Sequence, residues 1–360
     1  MQAVPKCDGL LASPARDAAP TAIRGPEEAS TRILIIRLKS IGDILFTLPA
    51  VHAIRENFPD ATLHFLVSKE NAPLLRGFSE IDDVIALDRA VYFSGNLKAM
   101  GRSTFQLLRQ LRRRNFSRVI DFQGFGETEI LSWWTGAPQR CGSVYHPPRG
   151  WLYTHGVRRN DHLHLADWNL SLVEQCGLRI GRIHNQFDLP EDALAEARRF
   201  FAAHRLDTAR PTLFLQPFTS SPHKNWPLEN FLALARHWQS GGLQILFGGG
   251  PAERPALEPA RAEGFSVAAG TPLLVSAGLV KLSTLTVGGV TGLMHLAVAM
   301  QKRVLMLIGH PAREPGFPYQ HHDWAVTPPG GGNVSGIRTE AVIAACARAF
   351  AELDVAPGES

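Results

Sequence analysis

Residues Ile33–Pro49, ILIIRLKSIGDILFTLP, carry the strongest indication of the fold. Its first four residues, 33–36, are all aliphatic, which is typical of a strand buried on both faces of a parallel sheet. A turn with one glycine, Gly42, follows, and apolar residues then recur at helical spacing. Open α/β sheets bind ligands where a strand leads through a short turn into a helix, outside the carboxyl ends of the strands.

This turn carries a single carboxylate, Asp43, where the helix is about to begin. One interpretation is an N-cap, since aspartate is among the preferred capping residues. The other is a functional acid that the helix N-terminus keeps ionised, by about 0.3–1 kcal/mol, and able to accept a proton. The residues alone leave both open. The turn lacks the GxGxxG pattern of dinucleotide-binding proteins.

Composition limits the class of protein. With 360 residues, 45% of them apolar, the chain can form two domains of ordinary size. The net charge of +4 is modest, so we expect a mildly anionic partner and no nucleic-acid partner. Three arginines, 112–114, end a predicted helix over 97–113, where they suit the solvated C-terminus. Contact with anionic lipid or a sugar phosphate is the alternative.

The termini and cysteines suggest a compartment. The four cysteines form no CxxC pair, which argues against a zinc site or a disulfide framework and suits a reducing environment. Residues 1–30 are rich in alanine and proline without a long apolar core, and are predicted to be a disordered tail rather than a signal peptide. No apolar run reaches the roughly 20 residues that cross a bilayer. The prediction is a cytoplasmic protein that can work at a membrane surface.

The rest of the chain shows two series of alternating strands and helices. Predicted strands of the first series lie at 33–36, 62–67, 84–87 and 119–122, and those of the second at 212–216, 243–247, 265–267, 285–287 and 304–308. The basic, aromatic segment 133–161 is predicted to be irregular, and 181–190 to be a linker. Strands alternating with helices predict an α/β protein of two Rossmann-like domains, with parallel sheets facing across a cleft.

Three turns in the second half carry polar chemistry. The first, 217–227, follows a predicted strand and offers the hydroxyls of Thr219 and Ser220 together with Lys224. A lysine supplies a mobile charge suited to the phosphates of a nucleotide. An ordinary polar loop with a surface lysine is the alternative, and position and residue types together favour the phosphate site.

The second turn holds three consecutive glycines, 248–250, followed by Glu253. Glycines allow a ligand to approach the backbone closely, and Glu253 could accept a hydrogen bond from a ribose hydroxyl. The alternative is a glycine turn whose acid interacts with the helix dipole.

The third turn leads into a predicted helix at 293–300. The N–H groups of Thr291, Gly292 and Leu293 would open that helix and form an anion site, and a pyrophosphate is expected there, with Lys224 opposite. His295 could contact the same group, although a lone helical histidine is more often structural.

No metal site is predicted. His155, His162, His164 and Asp167 are close in sequence, but His162 and His164 are two residues apart and would diverge on a helix. The chain also lacks a DxD-type pair that could hold a divalent cation against a diphosphate. A mechanism without metal or other cofactor follows if the function is nucleotide chemistry.

Three segments together carry a family resemblance: Ile33–Pro49, Gln216–Phe231 (QPFTSSPHKNWPLENF) and Val287–Ala299 (VGGVTGLMHLAVA). Their order and spacing resemble the heptosyltransferases of glycosyltransferase family 9, which extend the lipopolysaccharide inner core from ADP-heptose. The resemblance runs from residue 31 to about 350. It implies the GT-B fold, with an acceptor-binding domain over 31–188, a nucleotide-sugar domain over 189–337, and a last helix, 338–352, that packs back on the first domain.

The resemblance also implies roles for individual residues. Asp43 matches the catalytic base of an inverting, metal-independent transfer, with Arg37 and Gly42 on the acceptor side. The donor contacts fall on Thr219, Ser220, Lys224, Glu253, Thr271, Thr291, Gly292, Leu293 and His295. The implied acceptor is an anionic glycolipid at the inner face of the cytoplasmic membrane.

The chain departs from the family at one important position. Val290 stands where an acid usually precedes the threonine, so a polar contact near the donor is lost. Two alternatives remain open at this point: a catalytically silent nucleotide-sugar-binding relative, and a transferase with another sugar or with a protein or natural-product acceptor.

Overall fold

The computed structural model describes residues 31–93, 95–145, 147–309 and 316–354. The tail predicted for residues 1–30 lies outside these ranges. Within them, no helix is both long enough and apolar enough to cross a membrane.

The first domain is built on a sheet of six parallel strands in the order β3-β2-β1-β4-β5-β6. The strands are β1 Arg32–Ile36, β2 Thr62–Ser68, β3 Asp83–Leu87, β4 Arg118–Asp121, β5 Gln139–Val144 and β6 His155–Arg158. The aliphatic run 33–36 is completely buried in the centre of this sheet, where Ile35 lies between Phe65 and Ile120. Burial on both faces explains why this strand lacks a polar–apolar alternation.

Helices cover both faces of this sheet. They are α1 Ile41–Leu45, α2 Leu48–Asn57, α3 Ala90–Phe93, α4 Leu97–Arg113, α5 Glu127–Trp134 and α6 Leu165–Gln175, with 3-10 segments at Lys69–Gly77 and Pro147–Leu152. Pro49 is the second residue of α2, a position where the missing N–H is tolerated.

The segment 133–161 is more regular than predicted, because it contains β5 and β6. These strands lie at one end of the sheet, and most of β6 is exposed. The sequences QRCGSV and HGVR therefore lack the continuous aliphatic run that marks a central strand.

The second domain repeats the architecture with strand order β12-β11-β10-β7-β8-β9. The strands are β7 Thr212–Gln216, β8 Gln244–Gly249, β9 Ser266–Ala269, β10 Leu285–Gly289, β11 Val304–Leu307 and β12 Ala325–Val326. The helices are α7 Glu191–Ala203, α8 Leu228–Ser240, α9 Glu258–Ala262, α10 Leu273–Leu282, α11 Gly292–Ala299 and α12 Thr339–Glu352, with 3-10 turns at Pro222–Lys224, Pro251–Glu253, His322–Trp324 and Val334–Gly336. The predicted linker, 181–190, contains no helix or strand.

The last helix does not pack where the resemblance implied. The apolar face of α12, which includes Cys346, Ala349 and Phe350, is buried in the core of the second domain. The Phe350 ring lies 4.9 Å from the Trp238 ring of α8. The expectation that residues 338–352 pack back on the first domain is wrong, because the second domain supplies the apolar surface that this helix covers.

Each sheet reverses its strand order once, between β1 and β4 in the first domain and between β7 and β10 in the second. Ligands of open α/β sheets bind at such switch points, outside the carboxyl ends of the strands. The helices that follow β1 and β10 meet across the domain boundary, where Ile41 of α1 lies against Gly292 of α11. The two switch points therefore face one another across a shared cleft.

Candidate active site

An arginine and an aspartate form the first wall of the cleft. Arg37 directly follows β1 and is 5% exposed. Its Nη1 donates to the carbonyl oxygen of Phe122, just beyond β4, at 2.7 Å, and its Nη2 lies 2.7 Å from Oδ2 of Asp43. The guanidinium thus spans the switch point and fixes the carboxylate from one side.

Asp43 is the third residue of α1, and Ser40 occupies the N-cap position. The interpretation of Asp43 as the N-cap residue is therefore wrong. The Ser40 N–H donates to Asp43 Oδ2 at 3.0 Å, so this carboxylate still satisfies a donor at the helix start. Oδ1 forms no hydrogen bond or ion pair with any residue in the described ranges, and the side chain is 34% exposed. One oxygen is held by the protein and the other is available to a ligand.

The N-terminus of α11 forms the opposite wall. Thr291 is its N-cap, and the hydroxyl accepts a hydrogen bond from the Met294 N–H at 3.3 Å. The N–H groups of Gly292 and Leu293 form no hydrogen bond within the described part of the chain. Such unpaired N–H groups, together with the helix dipole, favour an anion at this end.

Two glycines allow the walls to approach each other. A Cβ on Gly292 would lie 2.5 Å from Cγ2 of Ile41, which is closer than real side chains come. A Cβ on Gly42 would lie 3.1 Å from Cδ2 of His295. Glycine at these positions permits the contact between the two helix starts.

His295 is buried in this contact and is neutral at physiological pH. Burial, with a smaller contribution from the neighbouring His164, lowers its pKa to about 4, although Asp43 opposes the shift. The ring packs edge-on against Phe46 of the first domain, with the centroids 4.7 Å apart. Its Nδ1 is buried without a hydrogen-bond partner among the described residues. A neutral imidazole cannot neutralise a phosphate charge, so any contact with the donor is a hydrogen bond.

A second histidine at the boundary was not predicted as a site residue. His164 precedes α6, and its ring stacks on Tyr319 of the second domain with the centroids 4.9 Å apart. Its Nδ1 accepts from the Ala166 N–H, so Nε2 carries the hydrogen that lies toward the Phe317 carbonyl oxygen at 3.3 Å. The Tyr319 hydroxyl donates to Asp167 at 2.8 Å. These contacts join the domains beside the cleft, and a local sequence pattern gives no signal for a pairing between such distant segments.

The loop after β7 is organised by its own side chains. The Thr219 hydroxyl lies 2.9 Å from both the Ser221 carbonyl oxygen and Asn225 Oδ1, and Asn225 Oδ1 also accepts from the Thr219 N–H. Ser220 is exposed, and Lys224 ends the 3-10 turn. The loop therefore presents its Ser220 hydroxyl to solvent, while the Thr219 hydroxyl stabilises the loop.

This loop lies beside the N-terminus of α11. A Cβ on Gly289, at the end of β10, would lie 2.6 Å from Thr219 Cγ2 and 3.2 Å from the Lys224 carbonyl oxygen. The predicted phosphate-binding residues of the two turns are thus brought together at one switch point.

Glu253 and Thr271 lie farther along the same sheet edge, after β8 and β9. Glu253 Oε2 accepts a hydrogen bond from the Gly250 N–H at 2.5 Å, and the Thr271 hydroxyl lies 2.7 Å from that of Ser276. Strand order places the turns after β10, β7, β8 and β9 one after another along this edge. Within the described ranges, no group of three or more His, Cys, Asp or Glu residues could hold a metal ion.

The family model for "Glycosyltransferase family 9 (heptosyltransferase)" matches residues 104–327. Among curated proteins, the chain is similar to the lipopolysaccharide core heptosyltransferase OpsX of Haemophilus influenzae, with 24% identity over 63% of this chain and 62% of that protein. It is also similar to lipopolysaccharide heptosyltransferase 1 of Escherichia coli K12, with 24% identity over 77% of this chain and 88% of that protein.

Solved structures show the same fold. A family 9 glycosyltransferase from Veillonella parvula has a TM-score of 0.79 at 21% identity, covering 89% of this chain and 97% of that one. E. coli heptosyltransferase WaaC with ADP-2-deoxy-2-fluoro heptose has a TM-score of 0.67 at 23% identity, covering 90% and 100%. The two facing α/β domains therefore form a GT-B fold, as predicted. Because the family model covers more than half of its residues, the chain belongs to glycosyltransferase family 9 and is a glycosyltransferase.

Proposed function

We propose that this enzyme transfers a heptose from ADP-heptose to a sugar hydroxyl of a lipopolysaccharide inner-core acceptor, with inversion at the anomeric carbon. The observation that carries the proposal is the position of Asp43, a carboxylate with one available oxygen, on a helix whose start contacts the start of α11 in the other domain. A single displacement needs a base on one side of the anomeric carbon and stabilisation of the leaving group on the other.

Asp43 acts as the general base. Its Oδ1 takes the proton of the acceptor hydroxyl as that oxygen forms a bond to the anomeric carbon. Arg37 and the Ser40 N–H hold Oδ2, which keeps the carboxylate oriented during the attack. General-base catalysis of this kind contributes about 10²–10⁴-fold to the rate.

The second domain stabilises the departing ADP. As the bond between the anomeric carbon and the diphosphate oxygen breaks, its electron pair passes to the diphosphate. We infer that the N–H groups of Gly292 and Leu293 and the ammonium of Lys224 stabilise this growing charge, a role that a metal ion fills in other enzymes. We propose transfer without a metal ion on this basis.

The remaining donor contacts follow from the strand order. Glu253 has a second carboxylate oxygen beyond the one that binds Gly250, and we propose that it accepts a ribose hydroxyl. Thr271, one strand farther, is proposed to lie by the adenine. The acceptor would bind in the first domain beside Arg37 and Gly42, and a lipopolysaccharide precursor would place the enzyme in the cytoplasm, at the inner membrane face.

Transfer of a sugar other than heptose is the second candidate, and Val290 favours it. Its Cγ1 lies 3.0 Å from the position of a Cβ on Gly316, so an apolar group occupies this part of the cleft. Both candidates are tested by incubating the protein with ADP-, UDP- and GDP-sugars and a deep-core lipopolysaccharide acceptor. Mass spectrometry then identifies the products. A heptose added from ADP-heptose supports the proposal. Transfer of another sugar supports the second candidate, and binding of ADP-heptose without product contradicts the proposed transfer.

A further inference from the structure

Two adjacent helices of the first domain expose large apolar side chains. In α5 the exposed fractions are 53% for Ile130, 45% for Trp133 and 41% for Trp134. Phe105 of α4 and Trp151, in the following 3-10 segment, are 65% and 69% exposed. Scattered exposed apolar residues are ordinary, but adjacent exposed aromatic rings on one surface mark an interaction site.

These side chains belong to one surface. Trp134 Nε1 donates to the Leu108 carbonyl oxygen of α4 at 3.1 Å, and the Trp133 and Trp134 rings lie 6.4 Å apart. The 3-10 segment that carries Trp151 packs against α5. The aromatic–basic face is defined here as the exposed surface of α4, α5 and this segment.

The same face is strongly cationic. Lys98, Arg102, Phe105, Arg109 and Arg113 follow one another at spacings of three or four residues along α4, and all are exposed. Residues 97–114 include six basic side chains and no acid. The four cations of this stripe form no ion pair with any residue in the described ranges, while Leu107 and Leu111 bury the opposite side of α4.

We propose that the aromatic–basic face docks on the surface of an anionic lipid bilayer. Tryptophans prefer the membrane–water interface, where the ring is in contact with acyl chains and the N–H reaches water. A basic amphipathic helix lies in the plane of that interface, and each lysine or arginine near an anionic surface raises affinity about fivefold. The arginines complement the negative charge of an anionic bilayer surface, and Phe105 and the tryptophans complement its apolar interior.

Docking by this face would present the cleft to lipid-anchored sugars. The α5 helix begins just beyond the carboxyl end of β4, and the Phe122 carbonyl in the intervening loop binds Arg37. The wall that holds Asp43 is thus one short loop away from the proposed membrane contact. The use of this geometry for a glycolipid acceptor rests on the proposed function, whereas bilayer binding does not.

Vesicle flotation with the full chain tests the proposal. We expect binding to vesicles of equimolar phosphatidylglycerol and phosphatidylcholine, weak binding to pure phosphatidylcholine, and release by high salt because exposed charges are screened. The variant Arg102→Gln/Arg109→Gln/Arg113→Gln should lose at least about tenfold in vesicle affinity. The variant Phe105→Ser/Trp133→Ser/Trp151→Ser should bind more weakly at every salt concentration. Trp134 and Arg112 are left unchanged because they contact neighbouring backbone.

The matched control is Arg338→Gln/Arg348→Gln/Leu353→Ser, which removes exposed cations and an exposed leucine from the second domain. It should bind vesicles like the unaltered protein. The proposal is overturned if the unaltered protein fails to bind anionic vesicles, or if the face variants bind as well as the control. A concentration-dependent dimer that the face variants abolish, without vesicle binding, would instead identify a second copy as the occupant. None of these readouts requires turnover, so they are separate from the donor test.

Discussion

Arg37 Nη2 lies 2.7 Å from Asp43 Oδ2, while Nη1 of the same guanidinium donates to the Phe122 carbonyl oxygen at 2.7 Å. The base proposed for catalysis is therefore anchored to the strand on the far side of the switch point. Because Arg37 is buried and the Asp43 side chain is one third exposed, the pair holds the carboxylate without closing it off from a substrate.

Replacement Arg37→Lys should lower kcat about tenfold or more with little change in the KM for the donor. A single ammonium cannot reproduce the two-pronged contact of a guanidinium with both the carbonyl and the carboxylate. Steady-state kinetics with ADP-heptose measure this. Arg55→Lys, which affects another arginine–aspartate pair of the same domain, is the control and should leave kcat unchanged. Equal losses in the two variants would argue against a positioning role.

Asp43→Asn should fold, bind ADP and lose transfer by about 10²–10⁴-fold, because an amide cannot take the proton of the acceptor. Calorimetric titration with ADP and a turnover assay separate binding from chemistry. The control is Asp60→Asn, which changes an exposed aspartate outside the candidate site. Near-normal turnover in Asp43→Asn would rule out this residue as the base.

Gly292→Ala should impair activity although it changes a single hydrogen to a methyl group. The new Cβ would meet Ile41 at 2.5 Å, so the two helix starts must separate. We expect a higher KM for the donor and a lower kcat. Gly101→Ala is the matched control, since a Cβ there meets nothing within 4 Å, and alanine favours the interior of α4 by about 0.5–1 kcal/mol. Full activity of Gly292→Ala would show that the close contact is dispensable.

The free energy of unfolding should fall as pH decreases from about 6.5 to 4. The pKa of His295 is about 4 in the folded protein, below its value of 6.5 in the unfolded chain. The unfolded state thus binds more protons in this interval, and stability rises with pH across it. Burial also lowers the pKa of His164, which adds a contribution of the same sign. For His295 the full effect is about 3 kcal/mol.

Urea unfolding across this pH range measures the slope. His295→Gln should flatten it, leaving the part that His164 contributes. His237→Gln, a histidine on the exposed side of α8, should not change it. A slope that is identical in all three proteins would show that His295 is not the source.

Much of the fold was predictable because the central strands bury both faces. The aliphatic run 33–36 and the apolar run 213–215 within 212–216 have few alternatives to a parallel strand, and both strands were predicted correctly. Strands β5 and β6 were missed, since strands at the end of a sheet need fewer aliphatic residues. Residues 251–262 form a 3-10 turn and the short helix α9 rather than one longer helix, because Pro255 and Pro259 each lack a backbone N–H for a helical hydrogen bond.

The two α/β domains and the turns that hold the candidate site follow from local sequence, because hydrophobic periodicity and glycine, proline and capping residues act over a few neighbouring positions. The pairing of those turns depends instead on tertiary packing. That packing placed Arg37 against Asp43 and Phe122, seated His295 beside Phe46, joined Tyr319 to Asp167, and packed α12 on the second domain. These contacts join segments far apart in the chain, and which apolar face meets which depends on the shape of the whole core rather than on any local pattern.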